Sequence, residues 1–306
     1  MKLAFIFSPQ GSQFTGMGKD LYDNIAEIRQ TIDQADALLT YDLKANLFED
    51  ETALNNTHYV QTAMFTLGAA IRDYLNRRGI VSQGSAGLSL GELAAYYDRG
   101  VYDFQTGLLV VEHRGFFMDR ATKFQPGAMA AVKTDIDKLE PLIEEIEGVY
   151  LANYNTENQL VVSGKSMALE QFIEKAKAAG IKRIIPLKTA GAFHSPCMQE
   201  AADNFSGYLN YVKLKEPEPT LYLNTTGKPY DKDLPQEMVK QITSPVLFHP
   251  LLKHMIADGF DTFVEIGPKP MITKFIKALD SNLEIHCVHD LESLNHTIKE
   301  LTKDGS

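Results

Sequence analysis

The chain opens on a short apolar run, Leu3–Phe7, stopped by Ser8 and Pro9. An unbroken apolar run bounded by turn residues predicts a strand buried on both faces. Residues 17–40 then predict helix. Over 58–78, Val60, Met64, Leu67, Ile71 and Leu75 recur at helical spacing and stop at Gly79. Residues 91–97 and 104–121 predict two further helices, parted by Gly100. The rhythm then changes. Ala128–Lys133 reads as a strand, 135–147 as an acidic helix, and Val149–Tyr154 and Gln159–Ser163 as strands joined by a turn. Residues 166–179 read as a helix ending at Gly180, and Arg183–Leu187 as a strand. This β-α-β-β-α-β order is the ferredoxin-like pattern. It predicts a small domain over 126–189 inserted into a larger, discontinuous one made of 1–125 and 190–306. In the latter, Thr220–Asn224 and Thr262–Ile266 are strand candidates, and a polar helix and tail run from about 290 to 306. By contrast, Val81–Ala86 is a poor strand sequence.

A length of 306 residues suits one large and one small core. Apolar residues make up 44% and charged residues 23%, as in ordinary globular proteins. No apolar run has the roughly 18 residues of a membrane span. The N-terminal run is too short for a signal peptide, so a cytoplasmic protein is expected. Cys197 and Cys287 lack the number and spacing of a disulfide framework or a zinc site. A net charge of −10 argues against broad binding to nucleic acid or anionic membranes. It also means that an acidic partner would need a local basic patch.

Gly87-Leu88-Ser89-Leu90-Gly91 matches G-x-S-x-G, in which a serine sits on a tight strand-to-helix turn. At average glycine and serine usage, chance supplies roughly 0.1 such matches in a chain of this size. An amphipathic helix follows, and its N-terminus favours developing negative charge. A serine nucleophile needs a base. Among eight histidines, His194 in Ala192-Phe193-His194-Ser195 is the best placed.

These and other segments together resemble the malonyl-CoA:acyl carrier protein transacylases of fatty-acid synthesis and the related acyltransferases of polyketide assembly. Phe7-Ser8-Pro9-Gln10-Gly11-Ser12-Gln13 is similar to that family's F-P-G-Q-G-S-Q, and Gly87–Glu92 to its G-H-S-L-G-E. Glu112-His113-Arg114-Gly115 resembles its arginine segment, and Ala152-Asn153-Tyr154-Asn155 with Gln159–Gly164 its small-domain signature. Ser244-Pro245-Val246 and Glu265-Ile266-Gly267-Pro268 supply two more blocks. The resemblance implies an α/β fold: an α/β-hydrolase-like large domain with a parallel sheet core, carrying the ferredoxin-like insert. It implies Ser89 as nucleophile and His194 as base, with the far imidazole nitrogen held by a backbone carbonyl, expected at Leu247. The backbone N–H groups of Gln10 and Leu90 would form the oxyanion hole. Arg114 would hold the free carboxylate of malonate, which a guanidinium can grip bidentately. Gln61 and Asn155 would line the substrate pocket. Phe193 would fill the space that a 2-methyl group needs, a discrimination of about 1–3 kcal/mol.

The donor implied is malonyl-CoA and the acceptor holo acyl carrier protein, with no metal or redox cofactor and, as is usual for the family, a monomer. Lys182 and Arg183 match positions implicated in carrier docking, with Lys188, Lys269, Lys274 and Lys277 as additions. Four departures stand out: Leu88 for a histidine, Ser8-Pro9 for Pro-Gly, Thr62 for a proline, and Lys269 for a glycine. They bear on substrate range more than on reaction type. Other readings stay open: a trans-acting polyketide malonyltransferase, or an acyl-carrier-protein acyl hydrolase of the same family. A Ser-His-Asp hydrolase would place an acid such as Asp135 or Asp137 beside His194, whereas a binding module would not need Ser89, His194 and Arg114 together.

Overall fold

Strand β1 (Leu3–Phe7) is wholly buried, as its unbroken apolar sequence demands. It begins a series of ten in the computed structural model, which describes residues 1–189, 191–218 and 220–302. The others are β2 (Gly84–Gly87), β3 (Gly127–Val132), β4 (Val149–Thr156), β5 (Gln159–Lys165), β6 (Ile184–Pro186), β7 (Tyr222–Leu223), β8 (Lys228–Pro229), β9 (Thr262–Ile266) and β10 (Glu284–Val288). The chain divides into two compact units. One comprises Met1–Gly115, Val212–Tyr222 and Met255–Ser306; the other comprises Phe116–Tyr211 and Leu223–His254.

The first unit is built on a parallel sheet of order β10-β9-β1-β2. Because these strands run the same way, the loops after β1, β2 and β9 leave from one edge, where open α/β sheets gather their sites. The helix Thr57–Arg77 buries nearly all of its first four turns, in keeping with its apolar periodicity. The helical stretch expected over 17–40 is two helices, Lys19–Asn24 and Ala26–Leu38, split where Ile25 is extended.

Strand β2 is a correction to the sequence reading. Gly84-Ser85-Ala86-Gly87 lacks strand-forming side chains, yet it pairs with all but the first residue of β1. The reason is space. A Cβ on Gly84 would lie 2.3 Å from the Phe260 ring, and one on Gly87 would lie 2.0 Å from the Gly91 carbonyl carbon. Only a strand of small residues fits there.

The second unit holds an antiparallel sheet of order β4-β5-β3-β6. The helices Ile136–Glu144 and Ser166–Ala178 pack on it through Leu139, Leu169, Phe172 and Ala176. This is the ferredoxin-like arrangement expected over 126–189. The compact unit reaches well beyond those bounds, however. Tyr154 donates to the Val246 carbonyl at 2.9 Å and Val246 to the Ala152 carbonyl at 2.8 Å, which joins the Ser-Pro-Val segment to β4. The strand expected over 220–224 shrinks to Tyr222–Leu223, and the polar C-terminal helix is Leu291–Thr302. The tail after it lies outside the described residues.

Candidate active site

Ser89 stands between β2 and the helix Gly91–Asp98 with φ of 53°, one of few non-glycine residues in the left-handed region. Such a backbone costs on the order of 1 kcal/mol or more and persists only where the surroundings enforce it. Here they do. Leu88 N–H donates to the Phe7 carbonyl at 3.1 Å, and Glu92 N–H to the Ser89 carbonyl at 3.1 Å. A Cβ on Gly91 would lie 2.1 Å from the Phe7 carbonyl oxygen, so the turn closes only with glycine at that position. The result is a half-buried serine at the start of a helix, where backbone N–H groups favour an anion.

The loop after β1 lies against this turn. The same Cβ on Gly91 would come within 3.0 Å of the Ser8 carbonyl oxygen. Ser12 closes a turn back onto the Pro9 carbonyl through its N–H at 3.3 Å and its hydroxyl at 2.7 Å. Gly11 N–H donates to Gln13 Oε1 at 2.6 Å. Among the described residues, the amides of Gln10 and Leu90 are not engaged in the backbone hydrogen-bond network. The departure at Ser8 has a local purpose: its hydroxyl donates to buried Glu265 at 2.9 Å.

Arg114 is 1% exposed, although it is a charged residue on a long helix, Phe104–Phe124. Its Nη1 donates to Oε1 of fully buried Gln61 at 2.7 Å. Burial pulls its guanidinium down to about 10, against nearby Glu92, which pushes it up. It therefore stays cationic at neutral pH. Glu92, itself buried, accepts from Tyr96 Oη at 2.8 Å. A guanidinium held in the interior can grip a carboxylate bidentately where water competes little for it.

In the second unit His194 also takes a left-handed backbone, with φ of 57°, and is 3% exposed. Its Nδ1 lies 2.9 Å from the Gln241 carbonyl oxygen. A carbonyl can only accept, so Nδ1 carries the hydrogen and Nε2 keeps its lone pair. The expected holder, Leu247, is thus a correction. Leu247 N–H donates to the Asn224 carbonyl, and its own carbonyl accepts from Leu251 as the helix Phe248–Ala257 begins. Gln241 lies in the last turn of the helix Leu234–Thr243, where carbonyls have no intrahelical partner and the helix end carries partial negative charge. Phe193 is buried, and a Cβ on Gly191 would press on its ring at 3.1 Å and on Thr122 at 2.4 Å. Asn155 is buried, and its Oδ1 has no hydrogen-bond partner among the described residues. Lys182 and Arg183 are exposed and line a groove of about 530 Å³ with Lys133, Lys138 and Asn158. Asp135 and Asp137 are exposed, and Asp135 is paired with Lys138 at 3.3 Å. Neither is the partner of His194 Nδ1.

A family model described as the acyl transferase domain matches residues 4–302. The chain belongs to the acyl transferase family. Among its relatives, the malonyl CoA-acyl carrier protein transacylase of Bacillus subtilis is 34% identical, over 99% of this chain and 98% of the relative. The crystal structure of the transacylase of the same name from Clostridium perfringens superposes with a TM-score of 0.94 at 34% identity, covering 100% of this chain and 98% of that one. A structure of a type II PKS acyl-carrier protein in complex with its malonyl-transacylase matches at a TM-score of 0.94 and 29% identity, covering 98% of this chain and 100% of that one. The chain is thus an acyltransferase, as its motifs lead one to expect. In this acyltransferase the first unit carries Ser89, Leu90, Gln10, Gln61 and Arg114, of which Arg114 and Gln61 are in contact, while the second carries His194, Phe193, Asn155, Leu247, Lys182 and Arg183. Sequence reasoning did not reach the Gln241 carbonyl, which has no side-chain signature, nor any role for Glu265 and Glu92 beyond their membership of motifs. The signal for the latter two was a carboxylate inside an otherwise apolar or glycine-rich motif. Among the described residues no helix is long and apolar enough to cross a membrane.

Proposed function

We propose that the protein transfers a malonyl group from malonyl-CoA to the phosphopantetheine thiol of acyl carrier protein through a Ser89 ester. Ser89 Oγ attacks the thioester carbonyl while His194 Nε2 takes its proton. The N–H groups of Gln10 and Leu90 receive the oxyanion, a role worth roughly 10²–10³ in rate per donor. The intermediate collapses, and His194 returns the proton to the departing CoA sulfur. The carrier thiol then attacks the Ser89 ester by the reverse sequence. A thiol with a pKa near 8.5 is far easier to activate than water, so a histidine oriented by a carbonyl serves transfer without a carboxylate. The groove with Lys182 and Arg183 offers an acidic carrier the local basic patch that a chain of net charge −10 otherwise lacks. The relatives' names support the donor and acceptor.

The observation that carries this reading is Arg114, buried on Gln61 in the unit that holds the Ser89 turn. It suits an acyl group that ends in a carboxylate. Arg114→Ala should cut malonyl loading from malonyl-CoA by roughly 100-fold, as expected when a buried charge partner is lost. Loading of acetyl from acetyl-CoA, compared in the same preparation, should change only a few-fold. Equal losses would remove Arg114 from the carboxylate role. A hydrolase reading needs a carboxylate on His194 Nδ1, and a backbone carbonyl occupies that position.

A further inference from the structure

We propose that Ser8 and Ser12 are positioning residues that clamp the Pro9–Gln10 peptide, so that the Gln10 N–H is fixed for the oxyanion before substrate arrives. This rests on the assignment of Gln10 and Ser89 above and extends it to two side chains of the same segment that the motif leaves without a role. The clamp has two ends. At one, Ser12 places both its N–H and its hydroxyl on the Pro9 carbonyl, at 3.3 and 2.7 Å. A peptide unit is planar, and here trans, so its N–H points opposite to its C=O. Fixing the Pro9 oxygen therefore fixes the direction of the Gln10 N–H. Ser12 is wholly buried, so water does not compete for that oxygen.

At the other end the loop is tied to the sheet. Ser8 N–H continues the β1–β9 ladder by donating to the Ile266 carbonyl at 3.0 Å. Its hydroxyl donates to Glu265 Oε1 at 2.9 Å. That carboxylate is fully buried and rigidly held. Its Oε1 also accepts from the N–H groups of Met271 and Ile272, at 2.8 and 2.9 Å, and its Oε2 from Thr273 N–H and hydroxyl, at 2.8 and 2.7 Å. A Cβ on Gly267 would lie 2.2 Å from Ser8 Oγ, so glycine there makes room for the serine. With Pro9 in place of a flexible glycine, the loop has fewer backbone states, and the two serines select among them. A preset donor saves the reorganisation that would otherwise fall on the transition state.

The test is the pre-steady-state burst of CoA release from malonyl-CoA. Its rate constant reports acylation, and its amplitude reports the fraction of intact sites. Ser8→Ala and Ser12→Ala should each lower the rate constant by roughly 5- to 50-fold, part of the 10²–10³ that a whole donor supplies. Amplitude and KM for malonyl-CoA should hold. Acetyl-CoA acylation should fall by the same factor, because the oxyanion is common to both acyl groups. Ser293→Ala removes a hydroxyl that accepts from the His289 and Asp290 N–H groups, away from the clamp and its anchor, and should leave the rate constant unchanged. The proposal is overturned if both serine variants acylate within twofold of the parent, or if Ser293→Ala slows acylation as much as they do. A parent protein that shows no malonyl burst at all would instead overturn the function on which the proposal rests.

Discussion

Arg114 sits beside two residues that set a different balance. Burial alone would raise the Glu112 carboxyl, but hydrogen bonds from His113 and His58 outweigh it and bring the group to about 2, from an ordinary 4.5. His113 is raised, chiefly by its bond to Glu112 and against its own burial. The carboxylate lies 2.9 Å from His58 Nε2 and 3.0 Å from His113 Nδ1, on the helices that carry Gln61 and Arg114. A depressed carboxylate stabilises the fold above its unfolded pKa of 4.5, and that gain is lost as pH falls toward 2. A raised histidine stabilises the fold below its unfolded pKa of 6.5, and that gain is lost as pH rises through its folded pKa. The two windows overlap between 4.5 and 6.5. Glu112→Gln should therefore lower Tm by about 1–2 °C near pH 5.5, the effect of about 1 kcal/mol in a protein of this size, and by less near pH 9. An equal deficit at both would show that the cluster acts by packing and not by charge. At this scale the sequence was informative where a side chain does the work. Ser89, His194 and Arg114 each stand in a motif, and Arg114 meets Gln61. It was blind to Gln241, because any residue supplies a carbonyl and only the end of a helix makes one available.

The elements show the same division between pattern and packing. The helix Thr57–Arg77 and strands β1 and β9 follow from apolar spacing, because each buries its side chains against an ordinary core. Strand β2 does not, because what it offers its neighbours is the absence of side chains. Its glycines and Gly91 let the Ser89 turn close on β1. Gly91→Ala should therefore cost several kcal/mol, or prevent folding, since backbone lies 2.1 Å from the new Cβ and cannot yield cheaply. Gly207 gives the opposite case. It lies within the helix Gln199–Leu209 with nothing within 4 Å of a Cβ. Gly207→Ala should stabilise by about 0.5–1 kcal/mol, through helix propensity alone. Denaturant midpoints of the two variants against the parent give both values. The ferredoxin-like order was legible because its short apolar runs are parted by turn residues and helical stretches, one of them ending at Gly180. The reach of its unit to His254 was not, because the link is a backbone ladder between Val246 and β4.

Across the whole molecule, the residues of the proposed reaction fall in two units that both draw on distant parts of the chain. The first carries Ser89, the Gln10 and Leu90 amides and Arg114. The second carries His194, with Nδ1 on the Gln241 carbonyl, and the groove lined by Lys182 and Arg183. The net charge of −10 makes that groove a local exception and not a general property of the surface. The proposed transfer turns on one covalent event at Ser89, which can be observed directly. The protein should be exposed briefly to malonyl-CoA, quenched in acid, digested and mapped by mass spectrometry. The account predicts a malonyl ester on the peptide bearing Ser89 and its discharge when holo acyl carrier protein is added, with malonyl recovered on the carrier thiol. Folded protein with no adduct at Ser89, or an adduct that the carrier leaves in place while free malonate accumulates, would contradict it.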